Sequence, residues 1–190
     1  MKVYQYESYD DYKQAQTEAN LRKIDKIWTQ KNTILKIKSF VSEASNIICH
    51  GTRNGAEQKY FKTEYPSAYV IGTEISSTAW QFDYTIQWDF AEQKPEWVNK
   101  FDIVYSNSFD HSFDPNKTIK TRKEQVAENG RIFLEWSLTD FSSKRSDPTG
   151  GSPEELVSFL TENEIEIEDS FKSVGWGGGR ALVYCCKVNS

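Results

Sequence analysis

The chain has 190 residues, and 23 Lys and Arg against 28 Asp and Glu give it a net charge of −5. This length predicts one domain, and the acidic balance argues against nucleic acid or an anionic membrane as a partner, because both select a cationic surface. No apolar run approaches the roughly 20 residues that cross a bilayer, and the N-terminus has no apolar signal-peptide core. We therefore expect a cytoplasmic protein.

The first 45 residues are predicted to be helical. Leu21, Ile24 and Trp28 recur at helical spacing, and a second apolar stripe runs over residues 34–41 after a polar break. We interpret residues 1–45 as a helical cap or lid ahead of a main domain over residues 46–190.

Short apolar strands alternate with helices from residue 46 onward. Gly or polar residues follow the strands, and Asn129-Gly130 is predicted to end a helix. The predicted strands are 46–49, 68–72, 85–88, 101–105, 131–134, 164–171 and 180–187. The predicted helices are 56–61, 117–128 and one that begins at residues 152–153.

This alternation predicts a mostly parallel sheet with helices on both faces, a Rossmann-like α/β three-layer sandwich. The last two of the seven strands have no helix between them, so the final strand should be antiparallel. Three cysteines, Cys49, Cys185 and Cys186, match neither a disulfide framework nor a metal-binding spacing. No metal site is predicted, and a reducing compartment fits best.

The turn after the first strand of the main domain carries glycines that favour a bound nucleotide. Gly51 and Gly55 would let backbone N–H groups approach a ligand at a helix N-terminus. Glu74 lies 19 residues after Gly55 at the end of the second strand, where an acid can bind ribose hydroxyls. The dinucleotide fingerprint would need glycine at positions 53 and 56, but the sequence has Arg53 and Ala56. A nicotinamide-dependent oxidoreductase is therefore disfavoured.

With these features in order, residues 46–187 resemble the class I S-adenosylmethionine-dependent methyltransferases. Asp89-Phe90 stand where that family brackets adenine, and residues 101–108 resemble its fourth-strand motif. The resemblance implies S-adenosyl-L-methionine as cofactor. The residues that it implies as cofactor contacts are His50, Gly51, Arg53, Gly55, Glu74, Asp89, Phe90, Ser106 and Asn107.

Two positions depart from the family pattern. Cys49 stands where the family often has an acid, and Arg53 replaces the usual middle glycine. These departures keep open an alternative, a catalytically silent module that binds the cofactor or a partner. Titration with S-adenosylmethionine, S-adenosylhomocysteine and NADH separates these hypotheses.

The acceptor side is predicted from sheet topology, because loops after parallel strands open on the ligand edge. Asp110 and His111 follow the fourth strand, where an imidazole beside a carboxylate could act as a base. The same loop could equally serve only to cap the next helix. Trp136 and Trp176 are predicted to cover a small-molecule acceptor that is methylated on oxygen or nitrogen, and a carbohydrate is one candidate. The sequence does not predict an oligomeric state.

Overall fold

The computed structural model describes residues 1–174 and 180–188, and within them helices alternate with strands. The helices are α1 (Tyr9–Arg22), α2 (Lys31–Phe40), α3 (Ala56–Glu64), α4 (Pro115–Gln125) and α5 (Pro153–Glu162). The strands are β1 (Lys2–Val3), β2 (Asn46–His50), β3 (Tyr69–Glu74), β4 (Thr85–Gln87), β5 (Phe101–Ser106), β6 (Val126–Ser137), β7 (Thr149–Gly150), β8 (Ile165–Val174) and β9 (Arg180–Val188).

Seven strands form the main sheet in the order β4-β3-β2-β5-β6-β9-β8. The first five strands in this order are parallel to one another, and β9 is antiparallel to both β6 and β8. The predicted Rossmann-like sandwich, with seven strands and an antiparallel last strand, is confirmed. The strand order reverses between β2 and β5, so their carboxyl ends open a crevice at a topological switch point.

Side chains alternate between the two faces of the sheet because strand periodicity is two. On β2, Ile48 belongs to the core cluster that includes α4 and α5, whereas Ile47 and Cys49 belong to the cluster that includes α2 and α3. Two separate cores therefore sandwich the sheet, and polar residues inside them lie on defined faces.

The N-terminal 45 residues play two structural roles. Ile34 and Ile37 of α2 are fully buried in the core beside α3. Ser8 caps the start of helix α1, because its side chain accepts a hydrogen bond from the Asp11 N–H, and the helix buries Tyr12 against the ligand edge. The helical character is as predicted, although β1 is a short strand that pairs with β7. The domain boundary at residue 45 remains a prediction.

The predicted helix end at Asn129-Gly130 is wrong: α4 ends at Gln125, and β6 starts at Val126. The last carbonyls of α4 accept hydrogen bonds from the N–H groups of residues 99 and 100, and Val126 pairs with Phe101. Gly130 instead allows close approach to β5, since a Cβ there would lie 2.8 Å from the Phe101 carbonyl oxygen. None of the described helices has the length and apolar character that a membrane span needs.

Candidate active site: a crevice and a cavity

The turn between β2 and α3 adopts a backbone conformation that favours glycine. Gly51 has φ of +70° and Gly55 has φ of +72°, in the left-handed region that disfavours side chains. A Cβ on Gly51 would also lie 2.6 Å from the Cβ of Ser108. The Gly51 and Thr52 N–H groups both donate to the Thr73 carbonyl, at 2.9 and 3.0 Å. The turn is therefore fixed tightly against β3 and the loop after β5.

A small crevice of about 40 Å³ lies at this turn. It brings together five predicted cofactor contacts, and Glu74 among them is buried and accepts a hydrogen bond from the Ser76 N–H at 2.9 Å. Its lining consists of Tyr12, Gln16, Ala19, Asn20, Gly51, Arg53, Glu74, Ile75, Asp89, Phe90, Ser108 and His111.

Helix α1 covers the crevice through polar side chains on one of its faces. The Tyr9 hydroxyl donates to Asp89 Oδ2 at 2.6 Å, and the Tyr12 hydroxyl donates to the His111 carbonyl at 3.0 Å. Asn20 Oδ1 accepts a hydrogen bond from Thr78 at 3.3 Å. The sequence analysis predicted a helical cap but not these contacts, which depend on long-range packing.

Two polar atoms of the crevice residues have no hydrogen-bond partner within the described chain. They are the buried Nδ2 of Asn20 and the buried Nε of Arg53. A buried donor without an acceptor is costly. Both donors, together with the Glu74 carboxylate, suit a ligand that carries hydroxyl and carboxylate oxygens. These residues therefore fit an amino-acid nucleoside such as S-adenosylmethionine.

Three other predicted cofactor contacts do not line the crevice. His50 is buried, and its ring nitrogens contact Thr73 Oγ1 at 3.0 Å and Gln125 Oε1 at 2.8 Å. Desolvation lowers the pKa of His50 to about 3, so the ring is neutral. Ser106 Oγ donates to the His50 carbonyl at 3.3 Å. Gly55 faces Phe82 and Thr85 rather than the crevice.

A buried arginine lies beside His50. Arg122 Nη2 donates to Ser106 Oγ at 3.1 Å, and its guanidinium lies 5.3 Å from the Phe90 ring centroid and 4.9 Å from that of Phe109. Desolvation lowers the pKa of Arg122 to about 9. The groups behind Phe90 are thus neutral or basic.

A larger cavity of about 340 Å³ adjoins the crevice. It brings together three residues predicted on the acceptor side, Asp110, His111 and Trp136; the fourth, Trp176, lies outside the described residues. Asn107, predicted to contact the cofactor, lines this cavity. The lining residues are Lys23, Trp28, Asn107, Asp110, His111, Glu135, Trp136, Ser137, Thr139, Asp140, Ser142, Asp147, Thr149, Arg180 and Ala181.

His111 lies where the two spaces meet, and among the described residues it alone lines both. Its Nδ1 is 2.8 Å from Gln16 Oε1, which can only accept a hydrogen bond, so Nδ1 carries a proton. Its Nε2 faces Asp147 at 3.5 Å and Asp110 at 4.0 Å. These three side chains could also hold a metal ion, since their donor atoms lie within 4.8 Å of one another. Lys144 already pairs with the second oxygen of Asp147 at 3.0 Å.

Trp136 is buried in the wall of the cavity. Its indole N–H donates to the Gly151 carbonyl at 3.0 Å, and its ring centroid lies 6.2 Å from that of Phe109. These contacts fix the ring in one orientation, so the cavity wall is preformed on this side.

Two buried acids, one in the cavity wall and one behind it, were not predicted from the sequence. Glu135 at the end of β6 and Glu57 in the first turn of α3 are connected through Tyr105 and Thr29. Burial raises the pKa of each carboxyl group to about 7. Glu57 precedes the buried Phe61 by one helical turn, and this spacing is the signal that places the acid on the core side of α3.

The same architecture occurs in solved methyltransferase structures. The 1,6-didemethyltoxoflavin-N1-methyltransferase of Burkholderia thailandensis, bound to 1,6-didemethyltoxoflavin and S-adenosylhomocysteine, aligns with a TM-score of 0.73 and 11% identity over 98% of this chain and 93% of its own. The N-methyltransferase NodS of Bradyrhizobium japonicum, bound to S-adenosylhomocysteine, aligns with a TM-score of 0.70 and 13% identity over 93% and 100%. A TehB-like S-adenosylmethionine-dependent methyltransferase of Corynebacterium glutamicum aligns with a TM-score of 0.64 and 16% identity over 95% and 98%. No family model and no curated protein matches the sequence. The chain has the fold of the class I S-adenosylmethionine-dependent methyltransferases.

Proposed function

We propose that the chain is a methyltransferase that binds S-adenosyl-L-methionine and transfers its methyl group to an oxygen or nitrogen of a small-molecule acceptor, with carbohydrates as one candidate class. The observation that carries the proposal is the position of His111 between a crevice with the polar groups for an amino-acid nucleoside and a cavity large enough for a small acceptor. The acidic chain and its net charge of −5 also support an acceptor that is not a nucleic acid.

The crevice residues have separate roles in this proposal. Glu74 accepts hydrogen bonds from the ribose hydroxyls, Asp89 and Phe90 border the adenine, and the backbone of the turn at Gly51 lies against the ligand. Asn20 and Arg53 supply the donors that have no partner within the described chain. The bound sulfonium supplies a methyl group with a good leaving group, so the protein mainly aligns the reactants and excludes water.

Helix α1 serves as the lid. At about 40 Å³ the crevice is much smaller than the roughly 300–1,000 Å³ of typical ligand pockets. A nucleoside therefore enters only when α1 moves away from Asp89 and His111. Arg145 holds the start of this helix with two hydrogen bonds to Asp11, at 2.6 and 2.9 Å. The cap thus works as a gate for the cofactor.

His111 acts on the acceptor through Nε2, and Asp110 beside it stabilises the imidazolium that forms when the acceptor loses its proton. Trp136 provides an apolar wall against which the acceptor packs, and Trp176 is proposed to complete that wall. The three cysteines are free and buried, which suits the reducing, cytoplasmic setting that we propose.

Calorimetric titration with S-adenosylmethionine, S-adenosylhomocysteine and NADH tests the cofactor assignment. We expect both sulfur nucleosides to bind and NADH not to bind. Glu74→Ala should weaken binding by about 1–3 kcal/mol, because the ribose hydroxyls lose a buried charged acceptor. Glu74→Gln keeps an acceptor for Ser76 and separates loss of charge from loss of fold. Glu64→Ala, at the end of α3, is the control and should bind normally. Binding without methyl transfer to any small molecule would instead favour the silent module.

A further inference from the structure

Four oxygen atoms form a continuous buried chain between the two acids. Glu135 Oε1 lies 2.5 Å from the Tyr105 hydroxyl oxygen, which lies 2.7 Å from Thr29 Oγ1. Thr29 Oγ1 lies 3.1 Å from Glu57 Oε1. Asn107 Nδ2 donates from the side, to Thr29 at 2.7 Å and to Glu57 at 3.2 Å. All three contacts between oxygens lie within hydrogen-bond distance.

The number of hydrogens in this chain does not match the number of contacts if both acids are ionised. Tyr105 and Thr29 each carry one hydroxyl hydrogen, and an ionised carboxylate carries none. Two hydrogens would then serve three contacts, and one pair of buried oxygens would face each other without a donor, which is costly. One additional proton, on either acid, fills all three contacts.

The surroundings place this proton on Glu57. Glu57 Oε2 is buried and has no hydrogen-bond partner within the described chain. An uncharged carbonyl oxygen tolerates such a position better than a carboxylate oxygen does. Glu135, by contrast, lines the cavity with Asn107 and His111. The hydrogen bonds therefore run from Glu57 through Thr29 and Tyr105 to an ionised Glu135.

Other charged groups do not remove the need for this proton. Arg53 faces Glu57 and favours its ionised form, but burial outweighs that effect. Within the described residues, neither Glu57 nor Glu135 has a cation within 4.0 Å. The titratable groups that face the pair are Cys49, Arg53 and Tyr105 around it, and Lys23, Asp110, His111, Asp140, Asp147 and Arg180 in the cavity.

We propose that Glu57 and Glu135 share a single proton through Tyr105 and Thr29, and that the ionised Glu135 is a second proton acceptor of the acceptor cavity. This inference rests on the proposed function. The acceptor then carries an N–H or O–H group that points at Glu135. The lone pair of the acceptor nitrogen or oxygen forms the bond to the methyl carbon. The carbon–sulfur bond breaks, and the electron pair of that bond stays on the sulfur of S-adenosylhomocysteine. By this route the acceptor proton passes to the free oxygen of Glu135 instead of to Nε2 of His111, and it is released to solvent with the product.

Infrared spectroscopy of the full chain tests the shared proton without any acceptor. Near neutral pH we expect the carbonyl stretching band of a protonated carboxyl group, and labelling glutamate with ¹³C should shift it. Glu57→Gln should remove this band, because the amide N–H takes the place of the acid O–H. Glu64→Gln, on the same helix but paired with Lys38 at 3.5 Å near the surface, should retain it. A wild-type chain with no glutamate band, or a band that Glu57→Gln leaves in place, overturns the proposal. If Glu57→Gln does not fold, the presence or absence of the glutamate band in the wild-type chain tests the shared proton by itself.

Methyl transfer tests the role of Glu135, with methyl-labelled S-adenosylmethionine and the small-molecule fraction of a cell extract as the source of acceptor. Glu135→Gln should lower the rate by ~10²–10⁴ and keep cofactor affinity. Tyr105→Phe should move the acidic limb of the pH–rate profile to higher pH, because the ionised form of Glu135 loses a hydrogen-bond donor. A purely structural pair would change unfolding midpoints and leave the pH profile in place, which overturns the catalytic role.

Failure of the proposed function gives a different result. If S-adenosylmethionine does not bind the wild type, the methyltransferase assignment fails while the infrared result still reports on the shared proton. If it binds and only His111→Ala removes the acidic limb, Glu135 is not a proton acceptor in the reaction.

Discussion

The crevice and the cavity lie side by side at one edge of the sheet, but their buried polar groups differ in charge. Behind the crevice lie a neutral His50 and the cation of Arg122, on the face of the sheet that packs against α4. Beneath the cavity lie Glu57 and Glu135, on the face that packs against α3. The two pairs lie on opposite sides of the sheet, because neighbouring residues of a strand point to opposite faces.

This difference matters for the proposed reaction. A sulfonium methyl donor is cationic, and an acceptor that is methylated must release a proton. Both place positive charge at the proposed reaction site, and Glu135 supplies a negative charge in the wall of the cavity that would hold the acceptor. In the proposed reaction the crevice, which α1 covers, binds the cofactor through its shape and its hydrogen-bond donors. The larger cavity binds the acceptor and supplies the charged group that takes its proton. The two regions can therefore be altered separately.

The largest expected effect comes from breaking the crevice side alone with Gly51→Ala. The left-handed φ costs a non-glycine residue about 1–3 kcal/mol, and the new Cβ overlaps Ser108 at 2.6 Å. We expect loss of S-adenosylmethionine binding and a lower free energy of unfolding. Gly55→Ala is the matched control, because its φ is nearly the same while its Cβ would lie 3.4 Å from Phe82. Gly55→Ala should bind S-adenosylmethionine more tightly than Gly51→Ala does. Equal losses of affinity would show that the left-handed backbone conformation, and not the overlap with Ser108, causes the effect.

Breaking the acid side alone is the next largest effect. Thr29→Val removes the middle of the oxygen chain, and Tyr105, Glu57 and Asn107 each lose one buried hydrogen-bond partner. The free energy of unfolding should fall by about 1–3 kcal/mol, the range for leaving buried polar groups unsatisfied. Thr33→Val is the control, since it removes one neutral contact with Ser173 at 2.7 Å and should cost about 0.5–1.5 kcal/mol. Urea denaturation measures both. Equal losses would argue against a connected chain.

The sequence predicted the crevice better than the cavity, for a physical reason. The crevice depends on local rules: a glycine turn after a strand, an acid at the next strand end and a fixed order of strands. The acid chain joins Thr29, Glu57, Tyr105 and Glu135, which are far apart in sequence and lie on four different segments. No local sequence pattern indicates that the hydroxyl of Tyr105 is hydrogen-bonded to Glu135 and Thr29 and does not only pack in the core. At His50 a local pattern was misleading. Its position beside the turn predicted a ligand contact, but its Nε2 forms a hydrogen bond with Gln125, which is 75 residues away in the sequence.

The dependence of stability on pH sharpens the comparison, because the two regions respond with opposite sign. The acid pair has pKa values raised to about 7 from 4.5, so its stabilisation is present below about pH 4.5 and is lost as the pH rises through about 7. His50 has its pKa lowered to about 3 from 6.5, so its stabilisation is present above about pH 6.5 and is lost as the pH falls toward 3.

We expect urea midpoints measured across this range to show both trends. Glu57→Gln should flatten the loss toward neutral pH, and His50→Gln should flatten the loss toward acid pH. The effect is smaller than that of Thr29→Val, because the two slopes oppose each other between about pH 4.5 and about pH 6.5. If either variant flattens the opposite limb, the assignment of that limb to its region is wrong.

The smallest expected effect concerns the lid, which covers the crevice but not the whole cavity. Tyr9 is partly exposed, and its hydroxyl donates to Asp89 at 2.6 Å, so this bond stabilises the closed lid at the place where the proposed adenine would lie. Tyr9→Phe removes the bond and keeps the ring that packs against Tyr12 and Phe113. A net hydrogen-bond contribution of about 0.5–1.5 kcal/mol corresponds to about a 2- to 12-fold gain in open lid. S-adenosylmethionine should bind faster and more tightly by a factor in the lower part of that range.

Tyr69→Phe, at the exposed start of β3, is the control and should change neither the rate nor the affinity of S-adenosylmethionine binding. Weaker binding in Tyr9→Phe would mean instead that Tyr9 contacts the cofactor directly and that α1 closes onto a bound ligand rather than competing with it.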